Sequence, residues 1–242
     1  MKFFADGFVK PYIKESGYRR LCEIGASFGE NTDKLLEISS TEIDIIDPCI
    51  DLRLHEKYAG NKRVRVNKGI SLEVLRDISG PFDCILMDGD HNWYTVYNEL
   101  KTIETRGLLR NGGTIFFHDV GWPYGRRDMY YQPELIPEEF VQPHGKKGLM
   151  QGQSELSDAS GVNADLYNAT HEGGSRNGVL TGIEDFLGEN RGKYRFFVVN
   201  EEFGLGVLLK TRNPIGNGTF NKYLLKTKIG GFLKKLRNKA GV

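Results

Sequence analysis

The first half of the chain alternates two hydrophobic rhythms. Tyr18–Gly25 is a short apolar run closed by glycine, and Gly29–Ser39 then has helical spacing. Glu42–Asp47 carries the β-branched Ile43, Ile45 and Ile46, and a short helix is expected over Ile50–Tyr58. Val64 and Val66 alternate within Arg63–Asn67, and Leu72, Leu75 and Ile78 recur on one helical face over Ser71–Ile78. Phe82–Met87 is almost continuously apolar, as in a strand covered on both faces. Tyr94–Arg106 reads as a helix stopped by Gly107, Asn111-Gly112-Gly113 as a turn, and Thr114–Phe117 as a fifth strand.

Strands and helices in strict alternation predict an α/β fold with a doubly wound, Rossmann-like parallel sheet. Ligands of such sheets sit beyond the carboxyl ends of the strands, at the switch point of strand order. The rhythm then stops. Residues 120–178 are rich in Gly, Pro, Asn, Gln and Tyr without periodicity, which predicts an irregular insertion beside the binding cleft. Val179–Leu187 is helical again, and Tyr194–Asn200 and Leu205–Lys210, parted by Phe203-Gly204, predict an antiparallel strand pair. The expected organisation is one domain over residues 1–210 and a basic tail over 211–242.

Composition narrows the classes. Apolar residues make up 39% and charged residues 27%, and mean hydropathy is −0.43. No apolar run of spanning length exists, and an acid at Asp6 interrupts the N-terminal apolar residues, so a cytoplasmic location is expected. Three cysteines without a CxxC pair predict small buried hydrophobes rather than disulfides or a zinc site. Charge is uneven: residues 211–242 hold eight basic and no acidic residues, leaving a body with net charge −7. In the tail, Leu224, Leu225, Ile229, Phe232, Leu233 and Leu236 are interleaved with lysines. This fits peripheral contact with an anionic membrane, or else a terminal helix that is solvated or packs in an oligomer. Basic residues are sparse around the predicted cleft, so no nucleic-acid partner is expected.

The candidate chemistry lies at strand ends. Gly25, Ser27 and Gly29 within Glu23-Ile24-Gly25-Ala26-Ser27-Phe28-Gly29 form a turn whose backbone can approach a ligand and whose helix start can receive an anion. Asp47 ends the second strand at the distance expected of a ribose-binding acid, or else caps a helix. Gly69 and Ser71 follow the third strand, where an adenine would lie, Ser71 serving equally well as a helix cap. The fourth strand ends in Asp88-Gly89-Asp90-His91 and the fifth in Phe117-His118-Asp119, so carboxylates and imidazoles converge on one mouth. Such a group can bind a divalent metal or move protons. Trp122, Tyr124, Arg126, Arg127, Tyr130 and Tyr131 open the insertion at that mouth, with aromatic faces and guanidinium forks suited to a sugar or an anion, or else an ordinary surface loop.

In order and spacing these motifs resemble class I S-adenosylmethionine-dependent methyltransferases, over roughly residues 15–120. The closest subgroup is the metal-dependent sugar O-methyltransferases. The resemblance implies a seven-stranded sheet with an antiparallel last strand, and S-adenosylmethionine bound by Glu23, Gly25, Ser27, Gly29, Asp47, Gly69, Ser71 and Asp88. It implies Mg2+ or another divalent metal at Asp88 and Asp119, with His118 adjoining, and His91 as catalytic base toward a small-molecule or glycan hydroxyl. Where relatives carry two adjacent carboxylates, this chain has His118-Asp119. Rival readings are a metal-free N- or C-methyltransferase using His91 and Asp90, an NAD-linked oxidoreductase, and a non-catalytic Rossmann scaffold. Ser27 stands where the dinucleotide fingerprint has its second glycine, which disfavours NAD.

Overall fold

The computed structural model describes residues 1–49, 52–158, 160–211 and 218–228. It opens with helical turns that the sequence pattern had not suggested: α1 (Lys2–Phe4), a π-type turn (Ala5–Val9) and α2 (Lys10–Ser16). Phe4, Val9, Tyr12 and Ile13 face inward at helical spacing, and Gly17 ends α2 in the left-handed conformation. There follow β1 (Arg20–Ile24), α3 (Glu30–Leu36), β2 (Glu42–Asp47), α4 (Leu52–Tyr58), β3 (Val64–Lys68), α5 (Ser71–Asp77), β4 (Phe82–Met87), α6 (Trp93–Thr105) and β5 (Leu109–His118). The insertion holds β6 (Met129–Tyr130), β7 (His144–Lys146) and β8 (Tyr167–Ala169). The chain closes with α7 (Val179–Glu189), β9 (Tyr194–Val199), β10 (Leu205–Lys210) and a helix, α8, over residues 218–228.

The main sheet has seven strands in the order β3-β2-β1-β4-β5-β10-β9. The first five are parallel, and β10 runs antiparallel to both β5 and β9. This is the α/β, Rossmann-like doubly wound sheet the sequence predicts, mostly parallel with the last strand of the chain antiparallel. The reversal between β1 and β4, where the chain switches sides, places the carboxyl ends of those strands at the ligand edge. β4 is wholly buried, in keeping with its unbroken apolar run. Helix α6 turns Val96, Leu100 and Ile103 onto one face of the sheet, where they join Leu75, Leu108 and Ile183 in one core. The N-terminal helices cover the other face with Leu35, Ile43 and Phe116.

Three expectations change. Asn111-Gly112-Gly113 is not a turn between elements but lies within β5, whose register against β4 shifts between Phe82 and Cys84. The insertion is not structureless: β6, β8 and β7 form a separate antiparallel sheet. The beginning of the expected tail belongs to the body, because α8 buries Phe220 and Tyr223 among Phe8, Tyr12 and Phe197. Ile229, Phe232, Leu233 and Leu236 lie outside the described residues, as does Ile50. Cys22 and Cys84 are buried and Cys49 is exposed. Among the described residues, no helix is long and apolar enough to cross a membrane.

Candidate active site

The glycine turn between β1 and α3 and the loop after β4 touch each other. A Cβ placed on Gly25 (φ +83°) would lie 2.2 Å from the carbonyl oxygen of Asp88, so only glycine lets the two strand ends approach this closely. Beyond them opens a cavity of about 480 Å³, within the range of small-molecule sites. Gly25, Ser27, Asp88, His91, His118 and Asp119 line its inner side. Tyr124, Met129, Tyr131, Asn163 and Leu166 line it from the insertion, and Phe203 from the turn between β9 and β10.

Its floor is a compact charged group. Nε2 of His91 stands 2.7 Å from Oδ2 of Asp119 and 3.6 Å from Oδ1 of Asp88. Nδ1 of His118 stands 2.8 Å from the same Asp119 oxygen and 3.2 Å from Oδ1 of Asp88. The Met1 ammonium donates to Oδ2 of Asp88 over 2.6 Å. Asp119 adopts the left-handed conformation (φ +57°), a strained choice for a non-glycine residue.

Burial works against charge on both imidazoles, but the facing carboxylates outweigh it. His91 is raised to about 10, chiefly by Asp119, and His118 to about 9 by hydrogen bonds to Asp119 and Asp88. Burial likewise opposes ionisation of Asp88 and Asp119, yet the imidazoles hold both well below the usual carboxylate range. At neutral pH the floor is therefore two carboxylates beside two imidazolium ions. In that state the His91 ring already holds the proton that a base would have to accept.

Two observations test whether a divalent metal fits here. One ligand atom from each of Asp88, His91, His118 and Asp119 falls within 4.8 Å of all the others. Both ring nitrogens of His91 are buried without a satisfied hydrogen bond, and Nε2 is the one that faces the two carboxylates. Two carboxylates and two imidazoles are a donor set suited to divalent ions, once the imidazoles have lost their protons.

The remaining expected cofactor residues are placed differently. Asp47 is buried, and its two oxygens accept the backbone N–H groups of Ser27 (2.9 Å) and Cys49 (2.8 Å), so it braces the glycine turn. Glu23 is buried beneath the turn, where Asn31 and Thr32 donate to it and burial raises it to about 7. Gly29 bounds α3, where an added Cβ would meet Tyr58. Gly69 and Ser71 lie at the start of α5. Of these residues, Glu23, Gly29, Asp47, Gly69 and Ser71 do not line the cavity.

The expected acceptor residues divide in two. Tyr124 and Tyr131 line the cavity, their rings 5.7 and 6.4 Å from that of His91. Arg127 and Tyr130 do not, and the expectation that they meet an acceptor is corrected. Arg127 is fully buried, and its guanidinium donates to the carbonyls of Ala169 and Ser154. The Tyr130 hydroxyl donates to Asp128 (2.8 Å) inside the insertion. Arg126 forms a two-pronged pair with Glu184 on α7, and Trp122 packs against the small apolar cluster of Tyr124, Met129 and Leu149. Neither lines the cavity. Sequence reasoning missed Met129, Asn163, Leu166 and Phe203, which converge from distant parts of the chain; only the apolar alternation Met129/Tyr131 signalled one of them.

Residues 22–120 match the family model of a methyltransferase domain. Among curated proteins, no match to the sequence was found. Solved structures resemble the fold. The O-methyltransferase TomG from Streptomyces achromogenes, determined with S-adenosylmethionine, superposes with a TM-score of 0.50 at 14% identity, covering 87% of this chain and 78% of that one. A Staphylococcus aureus protein provisionally assigned as a caffeoyl-CoA O-methyltransferase gives a TM-score of 0.50 at 15% identity, covering 86% and 83%. At such identities the likeness establishes the shared fold.

Proposed function

We propose that this chain, whose residues 22–120 carry a methyltransferase domain, transfers the methyl group of S-adenosylmethionine to a hydroxyl oxygen, most specifically that of a sugar. The observation that carries the reading is convergence. The glycine turn, Asp88, His91 and Asp119 share one cavity at the carboxyl edge of the sheet, facing the aromatic wall of the insertion.

S-adenosylmethionine supplies an electrophilic methyl carbon on a sulfonium centre. The chain must hold the acceptor oxygen in line with that carbon and remove its proton. Tyr124 and Tyr131 offer ring faces against which a sugar can stack, and Asn163 supplies an amide held in place by donating to the Tyr124 hydroxyl (2.7 Å). His91 is the candidate base, buried between Asp88 and Asp119. With its proton in place it cannot act, so the working state needs a cation to take over the carboxylates or a pH high enough to empty the imidazole. A divalent metal held by Asp88, Asp119 and His118 fits that need, and when bound supplies Lewis-acid polarisation of the acceptor oxygen.

A second reading, a phenolic acceptor, is favoured by the apolar character of the insertion side, where Tyr124, Met129, Tyr131 and Leu166 outnumber Asn163, with Phe203 of the β9–β10 turn beside them. Release of S-adenosylhomocysteine, measured against methyl glycosides and simple catechols with and without Mg2+, tests both. Turnover on glycosides supports the sugar, turnover on catechols alone supports the phenol, and no turnover on any hydroxyl acceptor contradicts O-methylation.

A further inference from the structure

The segment that carries His91 is held from outside the nucleotide fold. The backbone N–H of Met129 donates to the carbonyl of His91 over 3.0 Å, an isolated antiparallel bridge between the catalytic loop and the insertion. One residue earlier in the chain, Oδ1 of Asp128 accepts the backbone N–H of Trp93 over 2.7 Å. Asp128 and Met129 therefore grip the chain on either side of Asn92, whose own side chain caps α6 by accepting from the Thr95 N–H (2.8 Å).

The same Asp128 oxygen also accepts the N–H of Gly178 over 2.6 Å, at the end of the insertion and the start of α7. Gly178 has φ +93°, and a Cβ there would come within 2.5 Å of the Arg127 nitrogen, so the contact depends on a glycine. The other carboxylate oxygen takes the Tyr130 hydroxyl, and the Asp128 N–H is held by Asn177 (2.7 Å). Asp128 has no solvent exposure. A single buried carboxylate thus joins the entrance of the insertion, its exit and the loop bearing His91, and each bond satisfies a group that would otherwise be buried unpaired.

We infer that Asp128 is a positioning residue: through Trp93 and Met129 it fixes the backbone of His91, and hence the approach of the imidazole to Asp119. The inference rests on the proposed role of His91, but its test does not need a known acceptor.

Protein labelled with 13C and 15N in histidine is observed at one fixed pH, the His91 and His118 ring signals being assigned with His91→Gln and His118→Gln. Asp128→Ala is expected to shift the His91 ring signal away from its wild-type position while that of His118 stays. Asp128→Asn keeps an oxygen for the Trp93 and Gly178 amides and is expected to leave His91 in place. A His91 signal unmoved in Asp128→Ala, moved together with His118, or moved equally far in Asp128→Asn overturns the inference. If Asp128→Ala yields no folded protein, Asn177→Ala, which removes the acceptor of the Asp128 N–H, is read the same way. Calorimetric binding of S-adenosylhomocysteine to the wild type is measured alongside. Its absence would sink the methyltransferase reading of the site without deciding the role of Asp128.

Discussion

The His91 imidazole reaches Oδ2 of Asp119 at 2.7 Å, and His118 shares the same oxygen at 2.8 Å. Asp119 is thus the hinge of the floor's charge balance. Whatever positive charge occupies the site, protons on the two rings or a metal between the carboxylates, this oxygen meets it.

The first expected consequence concerns pH and metal together. His91, held near 10, is protonated at neutral pH, so its basic form grows as the pH rises toward 10. Without metal, turnover should climb across pH 7 to 9.5. A divalent ion adds positive charge at Asp88 and Asp119, which disfavours the imidazolium and should move the rise to lower pH. Rates of S-adenosylhomocysteine release over this range, with EDTA or with Mg2+ or Mn2+, check the shift. Superimposable profiles would remove the metal from the site.

Replacing the base is the second test. His91→Gln should lower turnover by roughly 10²–10⁴-fold, the usual contribution of a positioned base. Binding of S-adenosylhomocysteine should persist, since the glycine turn is untouched. Calorimetry and initial rates separate the two effects; an equal loss of binding and rate would argue for collapse of the cavity.

Stability should also follow pH. The folded pKa values of His91 and His118, about 10 and 9, lie above the ordinary histidine value, so the stability they contribute is complete below about 6.5 and is lost as pH rises through 9 and 10. Burial raises Glu99 to about 8, and its contribution likewise fades as pH climbs from about 4.5 through 8. Melting temperature should therefore fall from pH 6 to pH 10, and Glu99→Gln should flatten the early part of that fall. A melting temperature that rises with pH would contradict these assignments.

The two arginines separate structure from recognition. Arg127→Met leaves the Ala169 and Ser154 carbonyls without their donor, at a cost of about 1–3 kcal/mol. Arg126→Ala breaks a partly exposed pair with Glu184 and a hydrogen bond to the Thr181 hydroxyl, the exposed pair itself being worth about 1 kcal/mol or less. Thermal melts check the ranking, and acceptor KM should stay unchanged for Arg126→Ala.

Local pattern carried the sheet well, because each strand of a parallel sheet buries its own apolar run: Phe82–Met87 and Glu42–Asp47 are legible without knowing their neighbours. The strand-end residues followed from that topology, which is why Asp88, His91, His118 and Asp119 fell together. What stayed hidden depends on partners far along the chain. Tyr130 and Tyr131 look equivalent in sequence, yet in β6 and just beyond it successive side chains point to opposite faces. Tyr130 therefore turns toward Asp128 and Tyr131 toward the cavity. Distance along the chain suggests Asp47 as a ribose ligand or a cap, but not that its oxygens accept the N–H groups of Ser27 and Cys49 and so brace the glycine turn. The helical spacing of Phe4, Val9, Tyr12 and Ile13 was present in the sequence, but only packing against Phe116 and Tyr223 shows what it serves.

The most direct measurement is a calorimetric titration of S-adenosylhomocysteine, with NAD as comparison, into the wild type and Gly25→Val. The account predicts saturable one-to-one binding of S-adenosylhomocysteine, none of NAD, and loss of binding in a folded Gly25→Val protein, whose new side chain must collide with the Asp88 backbone. Saturable NAD binding with no response to S-adenosylhomocysteine, or undiminished binding in Gly25→Val, would contradict it.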